Sequence, residues 1–376
     1  MLFVTVTEAV LYFCFCILGG SLIFYSIKDT HRPDINIPKR WLLISSMGAG
    51  ILSFAPILYL ILTLGRDTGY WDSFIGVLFT FQVGKAWVFN LVIALLLFAL
   101  IYFNRLDSDI FLSRMGLLLF ICLIIAYTKA GHAASLMPVL GFGAHFLHLL
   151  AVSLWGGCLI CAAWFSKSTS GWRNYLRWFT PFAVISMIVL LLAGFATMMI
   201  DIAKPLDHSL SSTFHQYKQG LIMNYGQALV MKHLLIIPLL LLAFFNGFYT
   251  KKLKTAESLD AYHPIKWARV ESVIVFFIFI VTAFMGQQSP PHDVSQSILV
   301  GQASPLFTSL YNGNLSTHTI LHFSLSWTSS AFFILAIILL LMTALFIIKK
   351  GSGFLAVVLS VGFLLSSYFG IMSGMQ

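Results

Sequence analysis

Apolar residues come in ten long runs, at about residues 4–27, 41–64, 80–103, 113–129, 141–165, 179–201, 227–249, 268–286, 319–348 and 353–373, with short polar connections between them. Crossing about 30 Å of hydrocarbon takes about 20 helical residues, so each run has the length of a membrane span. Within lipid only helices and closed barrels satisfy every backbone N–H and C=O, and barrel strands alternate in polarity over about ten residues. These runs are longer and uniformly apolar. The pattern predicts an all-α fold, a polytopic transmembrane helical bundle of about ten spans.

Composition agrees, because 59% of the 376 residues are hydrophobic and 9% are charged, where a soluble domain carries about 25% charged residues. A net charge of +9 raises nucleic acid as a partner, but the basic residues are scattered between apolar runs and form no binding face. They read as topology signals in contact with lipid. One set of alternating connections holds sixteen Lys and Arg, among them Lys28, Arg40, Arg105, Arg173, Lys251 and Lys349, and the other holds six. The positive-inside rule puts the sixteen in the cytoplasm and, with ten spans, both termini outside. Residues 1–20 have no basic start and no small-residue cleavage pattern, so they read as a retained first span. The five cysteines, Cys14, Cys16, Cys122, Cys158 and Cys161, lie inside apolar runs and predict no structural disulfide.

That topology sorts the histidines by side. Nine of eleven fall outside or in the outer half: His132, His145, His148, His208, His215, His233, His292, His318 and His322. Met137, Met198, Met199, Met223, Met231, Met285, Met372 and Met375 share the bias. Thioether suits Cu(I) and imidazole accepts Cu(II) and zinc, so the mixture points to copper. A single membrane methionine is usually packing, and a single loop histidine is usually solvated. The clustering is what counts.

Two spacings sharpen it. His145 and His148 are three apart and share a helix face, and a short loop with Pro138, Gly141 and Gly143 returns His132 toward them. His318 and His322 are four apart at the start of the ninth run, with Ser326 and Ser329 continuing the stripe inward. Imidazole at membrane depth is costly unless it pairs, binds or lines a wet cavity. A hydrogen-bond clamp between helices competes with ligation for both pairs, and an interfacial role competes for His233. The candidate metal set is His132, His145, His148, His318, His322, Met137 and His233. Trp155, Gly156 and Gly157 read as a packing motif about two turns deeper than His148, whereas Cys158 and Cys161 point away from its face.

The segments Gly131-His132-Ala133 and Leu147-His148 through Trp155-Gly156-Gly157 resemble the signature of CopD-family copper resistance proteins. Tyr225-Gly226 through Lys232, Asn246, Arg269 to Glu271, Thr282-Ala283 and Ser289-Pro290-Pro291 follow in the family's order. The resemblance covers residues 128–291, while residues 1–127 agree only in hydropathy and span number. It implies a bacterial inner-membrane protein that moves copper, beside a separate periplasmic copper-binding protein. The chain then reads as a four-span region at 1–127, a CopD-like core at 128–291, and an outer loop with two further spans at 292–376, for which the resemblance offers no role.

No glycine-rich phosphate loop, HExxH motif, nucleophile elbow or cysteine-rich cluster is present, and the expectation is a copper-binding protein that is not an enzyme. Two alternatives stay open. Paired histidines on helices also suit a b-type haem in an electron carrier, and a copper sensor or delivery protein reads the same as a transporter.

Overall fold

A computed structural model describes the protein except residues 1, 203–209, 253–262, 292–293 and 312, and except the side chains of His132, Ala133 and residues 248–252. The described residues form α1 (Leu2–Ser26), α2 (Lys39–Leu52), α3 (Ala55–Thr68), α4 (Tyr70–Phe79), α5 (Gln82–Phe103), α6 (Ile110–Lys129), α7 (His132–Leu136) and α8 (Leu140–Phe165). Then come α9 (Trp172–Ile202), α10 (Leu210–Gln219), α11 (Asn224–Lys252), α12 (Pro264–Gly286), α13 (Val294–Leu299), α14 (Pro305–Leu310), α15 (Trp327–Ile348) and α16 (Gly353–Ser373). Among the described residues ten segments are long and apolar enough to cross a membrane, with α2 and α3 together making one of them. The protein is an all-helical, multi-pass membrane protein.

Pro56 explains the division of the second span. It has no N–H for the carbonyl one turn back, so the helix stops at Leu52 and restarts at Ala55. In lipid, carbonyls near such a break need new donors. The Asn90 amide of α5 supplies one to Ala49 O at 3.1 Å, and the Trp87 indole supplies another to Gly50 O at 3.0 Å. At the far end of α3, Gly69 takes φ +89 and starts α4, a short helix in a stretch the hydropathy left as a connection.

The chain divides into two compact units, Met1–Thr197 with Leu253–Ser272, and Met198–Lys252 with Val273–Gln376. In the first, α1 is the buried centre, with Leu11, Phe15, Cys16, Leu18, Leu22 and Phe24 at 0% exposure. A helix apolar all round belongs inside. It packs on α8 through glycines: a Cβ at Gly157 would overlap Cys16 O and Gly20 N, and one at Gly19 would sit 2.9 Å from Ser153 O. The packing role read from Gly156 and Gly157 is what the structure shows. Small residues of this kind let backbones touch, which is the main adhesive between helices in lipid.

In the second unit α15 and α16 form a hairpin, tied by Ser329 Oγ donating to Gly370 O at 2.7 Å. The connection before α15 folds onto the same unit. Ser304 N–H donates to Ile222 O at 2.7 Å, and Phe307 and Leu321 bury completely in a core with Leu221, Val230, Tyr368 and Met372. Here the expected ninth span is corrected, because α15 starts at Trp327 instead of residue 319. Ser326 caps it by accepting the Ser329 N–H at 3.0 Å. The preceding residues are extended and pair with the last residues of the chain: His322 N–H donates to Gln376 O at 2.8 Å, and Ser324 N–H to Gly374 O at 2.8 Å.

The α1 and α8 contact yields a prediction. Gly157→Leu lowers the melting temperature of the detergent-solubilised protein by several degrees, as expected for about 1–3 kcal/mol of overpacking. Gly143→Ala, where no atom lies within 4 Å of the added carbon, leaves it unchanged.

Candidate functional site

The imidazoles of α8 are held in the first unit. His148 Nδ1 lies 3.1 Å from Leu190 O of α9, and the ring reaches it over Gly194, where a Cβ would stand 3.2 Å from Nδ1. A carbonyl only accepts, so Nδ1 carries the proton and Nε2 keeps its lone pair. That is the tautomer a metal ligand needs, with a backbone carbonyl orienting the ring from behind. The His145 ring lies against Gly131, at which a Cβ would stand 2.5 Å from Nδ1 and 3.2 Å from Thr128 O. The close approach expected from Gly141 and Gly143 is therefore made by Gly131, since both of the other glycines lie inside α8. His132 begins α7 and its side chain lies outside the described residues; Met137 occupies the turn between α7 and α8.

At the depth of these imidazoles runs a polar chain whose partners the sequence did not indicate. The Tyr127 phenol of α6 hydrogen-bonds to Tyr12 of α1, and Tyr12 to the buried carboxyl of Glu8. Register sets its depth. Cys16 Sγ contacts Val152 O at 3.8 Å and Gly20 meets Gly157, so α1 and α8 run parallel. Glu8 is then level with His145, and Tyr12 with Leu149. The i, i+4 spacing of Glu8 and Tyr12 was the visible signal. Cys161 faces α1, with Sγ 3.7 Å from Ser21 Oγ and 3.9 Å from Ile17 O. His148 faces α9, so thiol and imidazole occupy different sides of α8.

His233 belongs to the second unit. Its Nδ1 is 2.9 Å from Tyr217 Oη of α10, and the two rings stack 5.7 Å apart. Nearby, Tyr225 donates to Asp201 Oδ2 at 3.1 Å. His318 and His322 are exposed and lie in the non-helical stretch before α15, so they do not share a helix face as their spacing suggested. Two backbone pairings to the chain end replace the helical register there. His215 is exposed on α10, and His208 and His292 lie outside the described residues. The methionines separate into two groups: Met198 and Met285 pack around Tyr225 and Leu229, while Met231, Met372 and Met375 join the core around Leu221 and Tyr368. Among the described residues, no three His, Cys, Asp or Glu side chains come together in a group able to hold a metal ion.

Two family models match this chain. Residues 2–142 match the N-terminal domain described as copper resistance protein D-like, and residues 173–285 match copper resistance protein D. The chain belongs to the copper resistance protein D family. The two matches take in about two thirds of its length, and the first corrects the expectation that residues 1–127 share only hydropathy with the family. His145, His148 and the Trp155 to Gly157 motif lie between the matched segments, and α15 and α16 lie beyond them. Searches of curated proteins and of solved structures gave no match.

The contact at Gly131 can be tested directly. Gly131→Val displaces the His145 ring, and diethyl pyrocarbonate then modifies His145 several-fold faster than in the native protein, as read by peptide mass spectrometry.

Proposed function

We propose that this family member captures copper ions at the extracytoplasmic face of a bacterial inner membrane and moves them across it. The observation that carries the reading is the pair of family matches, which ties both the N-terminal spans and the later ones to copper resistance. The excess of Lys and Arg in one set of connections supports the orientation, since it leaves the ends bearing His132, His145 and His148 outside. His148 suits the role of ligand because Leu190 O holds Nδ1–H and leaves Nε2 basic. His132 comes from the start of α7 and His145 from the same helix as His148. Met137, His318 and His322 are additional donors on that side, the last two on an exposed segment where a carrier protein has access to them.

No step in this reading makes or breaks a covalent bond, so the protein is proposed as a carrier and not as an enzyme. Two or three neutral imidazoles hold either Cu(I) or Cu(II), and a separate periplasmic copper-binding protein is the proposed donor or acceptor of the ion.

Titration of the detergent-solubilised protein with Cu(I) and Cu(II) tests it. His148→Ala and His132→Ala each weaken binding by about tenfold or more, since even the loss of a residue orienting a ligand costs about 10- to 100-fold. Unchanged affinity in both variants refutes the assignment.

A further inference from the structure

The second unit holds a donor set that neither the family matches nor the histidine spacing assigns. Tyr225 donates to Asp201 Oδ2 at 3.1 Å and fixes the last turn of α9 beside the first turn of α11. The two spans are antiparallel, so Met198, less than one turn before Asp201, lies level with Leu229, one turn beyond Tyr225. Met198, Met285 and Tyr217 pack together around the core of Ile202, Tyr225 and Leu229. Four helix ends thus converge, from α9, α10, α11 and α12. His233 is the next member of the stripe Tyr225, Leu229, His233 on α11.

The His233 ring is not free to turn. It stacks on Tyr217, a member of the same core, with rings 24° from parallel, and its Nδ1 is 2.9 Å from the phenol oxygen. When Nδ1 carries the proton it donates to that oxygen, and Nε2 holds the lone pair on the side away from Tyr217.

Methionine usually fills gaps in cores, and Met231, Met372 and Met375 do so around Leu221 and Tyr368. Met198 and Met285 come from two helices to one small core, and His233 stacks on Tyr217, which packs on that core. We propose that Met198, Met285 and His233 form a soft-cation site for Cu(I), with Tyr217 as its positioning residue. Two thioethers and one imidazole are neutral and polarisable, which favours a monovalent soft ion over Cu(II) or zinc. The identity of the cargo rests on the copper reading; the site itself shares no residue with the imidazoles of α8.

Silver(I) serves as the probe, since it mimics Cu(I) without redox chemistry. Full-length protein in detergent is titrated calorimetrically, native and as Met198→Leu/Met285→Leu, Tyr217→Phe and His148→Ala. Leucine keeps the apolar volume. The double variant loses one class of silver sites, by about 10- to 100-fold in affinity, while His148→Ala retains that class. Tyr217→Phe weakens it about tenfold, as loss of an orienting hydrogen bond does. X-ray absorption of the Cu(I)-loaded native protein shows sulfur neighbours that the double variant lacks. If the double variant does not fold, Met285→Leu alone must lose one sulfur neighbour. The proposal is overturned if native protein binds no silver, if its Cu(I) has only nitrogen neighbours, or if the Leu variants keep native affinity. Loss of copper capture in His148→Ala with this class intact, or the reverse, separates the two sites.

Discussion

The contact of α1 with α8 at Gly20 and Gly157 is the constraint on which the first unit depends. Two backbones meet there with no side chain between them, and that fixes both the depth and the rotation of α8. Depth brings His145 level with Glu8 and His148 close to the level of Tyr12. Rotation turns Cys161 toward α1 and His148 toward Leu190 of α9. Lipid gives the geometry its force, because a polar group in a span must find a partner within protein or carry a function. Ser21, Asn90, Trp87 and Tyr12 all have partners.

The second unit solves the same problem by different means. Its connection between α12 and α15 packs its own apolar side chains, Phe307 and Leu321, against the ends of α11 and α16. Gln227 knits this end together, donating to Leu221 O and accepting from the Tyr368 phenol. The exposed His318 and His322 ride on the surface of that cover, whereas His233 and its tyrosine lie within the helices.

Span positions were legible because length and apolarity are local properties. The start of α15 was not, although Phe323-Ser324-Leu325-Ser326 alternates in the manner of a strand; a long apolar average overran that signal, and the pairing with Gly374 and Gln376 is tertiary. Pro56 marked the break in the second span, but its repair by Asn90 and Trp87 depends on how α5 packs. At the candidate site, the sequence supplied His145 and His148 by spacing. Their partners, Gly131 and Leu190 O, are non-local. Glu8 and Tyr12 were readable as an i, i+4 pair; Tyr127, more than a hundred residues away, was not.

The account stands on the histidine-bearing ends of the first unit facing away from the cytoplasm. A cysteine-free protein with Ser135, an exposed residue of α7, replaced by cysteine reports this directly when spheroplasts meet a membrane-impermeant thiol reagent. The account predicts labelling of intact spheroplasts. Labelling only after the membrane is opened would place His132, His145 and His148 on the cytoplasmic side and contradict it.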